Sequence, residues 1–465
     1  ILVRMIRFRM AFCSLRKNTM SNSQFSYTRD QLSTLARLAI DHATRSGATA
    51  ADTEISEGFG LNVAVRKGEI ETIEYNKDKG ASVTVYIGQR RGHASTSDLS
   101  EAALKSSVDK ALTIARFTAE DDCAGLPDAE RLAQSTPDLD LYHPWDISVE
   151  EAAERARVCE AAALAVDTRL TNSEGGSVNT HASHFIYANS LGFCNGYASS
   201  RHGLSVAVIG EDAGGMQRDY WYSTARNAND LESAESVGRI AGVRTVRRLN
   251  GRKLDTRQCP VLFEAQLATG LIGHYVQAVS GGSLYRKSSF LLDSLGKQVF
   301  SPLVQIRELP FMPGGFGSSP FDNEGVACQE RDVVKDGVIQ GYFLSTYSAK
   351  KLGMTTTGNA GGNHNLIVTP GDLDLDGLLK KMDTGLFVTE LLGHGANMVT
   401  GDYSRGAAGF WVEHGEIQYP VEEITIASNL AEMFKGIVAI GNDVERRGSK
   451  QVGSILIENM MVAGN

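Results

Sequence analysis

Proline is scarce, at 10 of 465 residues, and the six cysteines (Cys13, Cys123, Cys159, Cys194, Cys259, Cys328) stand at least 35 positions apart. No C-x-x-C pair and no disulfide framework follows from that spacing, and a reducing cytoplasm suits it best. No run of 18 apolar residues is present, so no membrane span is expected. H-E-x-x-H is missing, and so is G-x-S-x-G, which removes a nucleophile elbow. Positive charge is also in deficit: 46 Lys and Arg against 55 Asp and Glu give −9. That balance argues against nucleic acid as a partner, because phosphate neutralisation needs a concentrated basic face. The first 20 residues carry Arg4, Arg7, Arg9, Arg16 and Lys17 and no acid, so the rest is more acidic than the total. This opening lacks the continuous apolar stretch of a signal peptide, which leaves a transit-like peptide or extra upstream translation, and Met20 before the polar SNSQ reads as the more natural start. Residues 1–27 are expected to form a disordered or upstream tail, and deletion of 1–19 should leave the melting temperature unchanged.

What remains is the composition of an ordinary globular chain, 42% hydrophobic and 22% charged, long enough for two or three domains. Glycine is the one excess: 30 of 48 fall after residue 250, which points to a turn-rich, sheet-rich second half. Thr28 with Gln31 forms a capping box ahead of Leu32, Leu35, Ala36, Ala39 and Ala43, which share one helical face. Leu61, Val63 and Val65 alternate up to the Lys67-Gly68 turn, Val83, Val85 and Ile87 alternate again, and Leu104 to Ala115 reads as a second amphipathic helix. Residues 119–147 form an acidic, irregular connection. Ser148 with Glu151 then caps an Ala-rich helix, and strand-like runs at 185–188, 204–209 and 220–222 precede a helix near 231–249. The fold class is α+β. An N-terminal unit of helices and antiparallel sheet spans 28–250, and a glycine-rich, mainly β unit spans 251–465, interrupted by a helix near 264–278.

Few residues suggest chemistry on spacing alone. His181 and His184 are i, i+3 in a strand-like run and point to opposite faces, so they cannot share a metal. Ser348 and Lys351 match S-x-x-K, a serine-hydrolase pattern, without its companion motifs. Gly393-His-Gly-Ala-Asn397 resembles the start of a dinucleotide fingerprint, but Met398 replaces the third glycine; a tight turn is the simpler reading. Two denser clusters stand out. Residues 281–294 combine Tyr285, Arg286 and Lys287 with two glycines and four serines, and residues 401–412 combine Asp402, Tyr403 and Arg405 with small neighbours. Small residues allow close backbone approach while Arg and Asp give directed hydrogen bonds, which suits a subunit contact or a bound extended peptide. An internally satisfied bend, with Asp402 bonded to Arg405, is the competing account.

The stretches GGSLYRKSSFLLDSLGKQ, PFDNEGV, YSAKKLGM, TGNAGGNHN and GDYSRGAAGFWVEHGEIQYPVEEITIA together resemble the TldD/PmbA family, in particular its PmbA (TldE) branch. The likeness extends to VAVRKGEIETIEYN and GASVTVYIGQRRGHASTSDLS near the N-terminus. It implies a cytoplasmic two-domain protein that pairs with a TldD-type subunit in a heterodimeric metallopeptidase acting on flexible peptides. It also implies links to peptide-antibiotic maturation, antitoxin breakdown and DNA gyrase modulation. The partner subunit carries His-Glu-x-x-x-His on a helix, and zinc or another divalent metal is expected there.

In this chain the match falls at Val261–Thr269, taken as a helix, with Phe263 and Ala268 in the histidine positions and only Glu264 retained. His274 is ten residues further on, about 15 Å along a helix, too far to substitute. No metal ligand and no catalytic residue is therefore assigned to this chain. Tyr285, Arg286, Lys287, His394, Asp402, Tyr403 and Arg405 are the expected substrate-binding or interface residues. The alternative function is a non-catalytic peptide-binding or regulatory protein of the gyrase-modulator kind, and a serine hydrolase on Ser348 and Lys351 is the third.

Overall fold

The structure, a computed structural model, describes residues 25–464. The expectation for residues 1–19 lies outside that range. Residues 25–27, counted with the tail on sequence, are held in place. The backbone N–H groups of Ser26 and Tyr27 donate to the buried Glu57 carboxylate at 2.8 and 3.1 Å, and Phe25 stacks on His184 with ring centroids 3.9 Å apart.

The N-terminal half is one sheet with helices on one face. Its strands are β1 (Ala50–Arg66), β2 (Glu69–Ile87), β3 (Arg90–Thr96), β4 (Leu170–Asn189), β5 (Cys194–Asn195), β6 (Ala198–Asp212) and β7 (Gly215–Ala225). The helices are α1 (Arg29–Arg45), α2 (Glu101–Phe117), α3 (Val149–Leu164) and α4 (Ala234–Arg247). Both expected capping boxes are present, Thr28 with Gln31 on α1 and Ser148 with Glu151 on α3. Strand order is β3-β2-β1-β4-β6-β7, antiparallel throughout, so two helix–meander–helix units join through the central β1–β4 pair. Ala51, Ile55, Leu61, Val63 and Val65 of β1 are all odd-numbered and all buried, so they share one face of the strand. The first two pack with α1 and α2, the last three with α3 and α4. One strand thus carries both hydrophobic clusters.

The C-terminal half contains two sheets. The larger comprises β8 (Arg257–Phe263), β13 (Gly385–Leu392), β14 (Asp402–Glu413), β15 (Glu416–Asn429), β16 (Ile437–Ile440) and β18 (Ile455–Ala463). They run in the order β15-β14-β13-β8-β18-β16, and a further pairing of β15 with β18 closes the sheet on itself. The smaller sheet holds β9 (Ile306–Leu309), β10 (Arg331–Lys335), β11 (Val338–Ile339), β12 (Asn365–Val368) and β17 (Lys450–Gln451). Helices α5 (Ala265–Ala278), α6 (Gly281–Tyr285), α7 (Thr346–Lys351), α8 (Leu375–Met382) and α9 (Leu430–Lys435) complete it. Ala268, Leu271, Ile272, Tyr275 and Ala278 of α5 recur at helical spacing and are buried in the main core, which fixes the helix's rotation.

The 119–147 connection is not a solvated linker. Leu132, Leu139 and Leu141 are buried, Leu132 bridges Val326, and Lys351 Nζ reaches Asp121 at 2.8 Å, so the segment straps the N-terminal sheet to the C-terminal half. Among the described residues no helix is long and apolar enough to cross a membrane.

Candidate functional site

Helix α5 leaves β8 without a loop. Val261–Phe263, expected as the first turn of a helix, are strand residues paired with β13 and β18, and Glu264 is the helix N-cap. Phe263 is fully buried in the sheet core, and Ala268 faces the same core from α5. Glu264 is not free to act as a base: Arg244 of α4 grips its carboxylate through two guanidinium nitrogens at 2.6 and 3.1 Å.

The chemically open part of α5 is its second half. His274 and Gln277, one turn apart, face a cavity of 220 Å³ whose other walls come from the 393–401 loop and from β14. The loop contributes His394, Gly395, Ala396 and Met398, and β14 contributes Arg405. Hydrogen bonds from Asn397 N–H to the Asp402 carbonyl, Ser404 N–H to the Gly395 carbonyl and Phe290 N–H to the Met398 carbonyl, at 2.7–2.8 Å, fix the loop. Alternation along β14 decides which predicted residues meet α5. Tyr403 is 1% exposed, and its ring lies edge-on to His274 at 6.0 Å. Asp402 points the other way, exposed, and its carboxylate accepts from Thr400 Oγ1 at 2.6 Å and Asn429 Nδ2 at 3.4 Å. The anticipated Asp402–Arg405 pairing is therefore not made.

Burial pushes the Tyr403 hydroxyl up to about 12, an effect the neighbouring Arg405 guanidinium opposes. Arg405 bears on the Tyr403 hydroxyl both as a charge and through a side-chain contact, but neither that hydroxyl nor Arg405 Nε, both buried, makes a hydrogen bond of good geometry. His274 is held below the usual histidine range by burial, reinforced by the positive charge of Arg405, so it is neutral at pH 7.

The other predicted cluster lies elsewhere. Tyr285 packs edge-on against Tyr347 at 5.7 Å, Arg286 is exposed with its guanidinium bonded to the Tyr285 hydroxyl, and Lys287 is an exposed residue with φ +55°. A Cβ at Gly281 would come within 2.1 Å of Ser348 Oγ, so the small residues of this segment serve the packing of α6 on α7. Ser348 itself bonds to Ser345 within a capping box, while Lys351 is committed to Asp121; the S-x-x-K dyad does not exist. His181 is exposed and His184 buried on β4, so they diverge as expected. Of the seven predicted residues the cavity gathers His394 and Arg405, with Tyr403 behind His274. His274 itself and Gln277 were missed.

Comparison with known proteins gives these residues a family setting. Models of the PmbA/TldA metallopeptidase match along the chain: domain 1 over residues 51–115, the central domain over 142–249 and the C-terminal domain over 256–464. Metalloprotease PmbA of Escherichia coli O157:H7 is 50% identical over 414 residues, covering 89% of this chain and 92% of that protein. The chain belongs to the PmbA/TldE family. A Haemophilus influenzae Metalloprotease PmbA homolog is 49% identical over 428 residues, covering 92% of this chain and 95% of its own. Among solved structures, a Bacteroides thetaiotaomicron protein described as a candidate modulator of DNA gyrase superposes with a TM-score of 0.88 at 28% identity, covering 93% of this chain and 98% of its own. TldE of Thermococcus kodakarensis, 18% identical, shares the fold with a TM-score of 0.80 over 93% of this chain and 99% of its own.

A metallopeptidase family implies a catalytic divalent metal, and the α5 cavity does not fit one. His274 and His394 are its only imidazoles, no carboxylate or thiolate lines it, and the Arg405 guanidinium occupies one wall. A divalent ion there would have two neutral ligands and a permanent positive neighbour. One group of three potential donors occurs among the described residues, Asp121, Asp122 and Cys123. Lys351 Nζ already sits 2.8 Å from Asp121 and 3.8 Å from Asp122, and burial raises the Cys123 thiol above its ordinary range, so this group does not fit either.

The depressed His274 gives a pH prediction. A histidine that titrates lower when folded than when unfolded contributes fully above the unfolded value of ~6.5, and that contribution is lost as pH falls below it. His274→Gln should therefore flatten part of the loss of melting temperature between pH 7 and pH 5. Parallel melting curves of wild type and variant at five pH values test this, and identical slopes would contradict it.

Proposed function

We propose that this PmbA/TldE-family chain is the metal-free subunit of a cytoplasmic, heterodimeric metallopeptidase that processes flexible peptides. Hydrolysis takes place at the His-Glu-x-x-x-His centre of a TldD-type partner, which binds zinc or another divalent metal. This chain supplies structure and part of the peptide path. The observation that carries the reading is the donor set around α5: an imidazole pair beside an arginine, and a glutamate locked to Arg244, in a chain 50% identical to a protein named as a metalloprotease. Such a set can hold and orient a polar ligand but has no means of activating water on a metal.

The purified chain is expected to hold no stoichiometric zinc and to cleave no peptide. Mixing it with a TldD-type subunit should yield a complex in size-exclusion chromatography and proteolysis that a chelator abolishes. One zinc per isolated chain, together with chelator-sensitive cleavage by that chain alone, would overturn the reading.

A further inference from the structure

We infer that the cavity between α5, the 393–401 loop and β14 binds a carboxylate of a peptide, with Arg405 as its counter-ion. The inference rests on the reading of this chain as a peptide-handling subunit and adds the chemical group that it grips.

Arg405 is the odd member among the partly buried arginines of the C-terminal half. Arg331 pairs with Glu308 at 2.8 Å, and Arg447 with Glu445, whereas no ion pair is formed by Arg405 among the described residues. Its neighbour in sequence, Asp402, is spent on Thr400 and Asn429 across the strand. The buried Nε is without an acceptor, and the almost fully buried phenol of Tyr403 makes no hydrogen bond of good geometry, with the Arg405 guanidinium as the polar group beside it. Arg405 is partly buried with its Nε enclosed and unpaired, so its guanidinium gains from an added acceptor, and the one that suits its planar fork is a two-oxygen anion. His274, Gln277 and His394 surround it with neutral or polar hydrogen-bonding groups and no acid, so a single negative charge would be unopposed. The cavity's 220 Å³ suits an end group or one acidic side chain rather than a whole peptide. Exposed Leu392, the last residue of β13, and Val399, near the end of the loop, offer apolar surface to the residues that follow. A peptide's C-terminal carboxylate and an Asp or Glu side chain share this chemistry.

Fluorescence anisotropy with the isolated full chain separates these cases. Three labelled hexapeptides of one apolar sequence are used: a free acid, its C-terminal amide, and the amide with one internal glutamate. The free acid should bind at least roughly tenfold more tightly than the acid-free amide, and Arg405→Gln should remove that preference. Gln277→Glu provides a second variant: position 277 is exposed, so folding is unaffected, and a new carboxylate beside Arg405 should compete with the ligand. Tight binding of the glutamate-bearing amide assigns the carboxylate to a side chain, and weak binding of it assigns the C-terminus; each supports the inference. Equal affinity for all three peptides, no binding of any of them, or an unchanged carboxylate preference in both variants overturns it. A chain that assembles an active complex but shows no carboxylate preference defeats only this inference. A chain that shows the preference but never restores proteolysis defeats only the proposed function.

Discussion

Arg244→Met is expected to destabilise the folded chain by about 3–5 kcal/mol, the cost of removing one partner from a largely buried ion cluster. Arg244, on α4, sits 3.3 Å from Asp219 of β7 and 2.6 Å from Glu264 at the head of α5, while Arg248 joins Asp219 at 3.8 Å and also meets Glu390 of β13. Three acids therefore share two arginines across the junction of the N-terminal sheet and the C-terminal half. Asp219 is 5% exposed in its side chain and Glu264 19%, so water cannot replace the lost guanidinium. Methionine keeps most of the stem that lies near Trp221, where the Arg244 guanidinium is 5.3 Å from the ring centroid, so charge rather than volume is tested. Adding Glu264→Gln to the variant should restore part of the loss, because it removes one stranded carboxylate. Urea denaturation of the four members of that cycle measures the coupling. A loss below about 1 kcal/mol for the single variant would mean that the cluster behaves as an exposed one.

That cluster also shows where reading the sequence stops. Local signals were legible: both capping boxes lie where Thr28/Gln31 and Ser148/Glu151 place them, and α5 runs from the residue after Glu264 to Ala278. Long-range pairing was not. β1 and β4 extend over 17 and 20 residues, through Gly58, Gly60, Gly175 and Gly176, a residue type that more often interrupts strands. At Gly60 a Cβ would stand 2.7 Å from the Thr180 carbonyl oxygen, and at Gly176 2.5 Å from that of Ala156, so these two glycines mark close approach rather than turns. Glu264 stood in sequence only as the one retained position of a lost motif, because its partner, Arg244, is twenty positions upstream on another helix. His274 was set aside on its distance along the helix from Glu264, yet its neighbours come from β14 and the loop before it. Tyr403 and Arg405 lie toward α5 and Asp402 away from it because the period of two in a strand separates them onto opposite faces, whereas in sequence they had been read as one cluster.

Gly395→Ala should cut the activity of the assembled complex by at least roughly tenfold while lowering global stability by only about 1–3 kcal/mol, the usual range for forced overpacking. A Cβ at position 395 would lie 1.5 Å from the Ser404 carbonyl oxygen and 2.6 Å from its carbon, backbone atoms of a paired strand that cannot step aside. The 393–401 loop has to lift instead. It would lose the 2.7 Å hydrogen bond from Ser404 N–H to the Gly395 carbonyl and carry His394 and Ala396 away from His274 and Arg405. Ala396 and Met398 of the loop pack only on the edge of the main core and are not among its buried members, which is why stability should fall less than activity. Gly393 supplies the control: its φ is +72° but a Cβ there meets nothing within 4 Å, and asparagine tolerates that backbone conformation. Gly393→Asn should thus behave as wild type in both assays, and the pair distinguishes a displaced loop from a general loss of glycine flexibility. Full activity of the Gly395→Ala complex, at equal amounts of folded protein, would remove the α5 cavity from the peptide path.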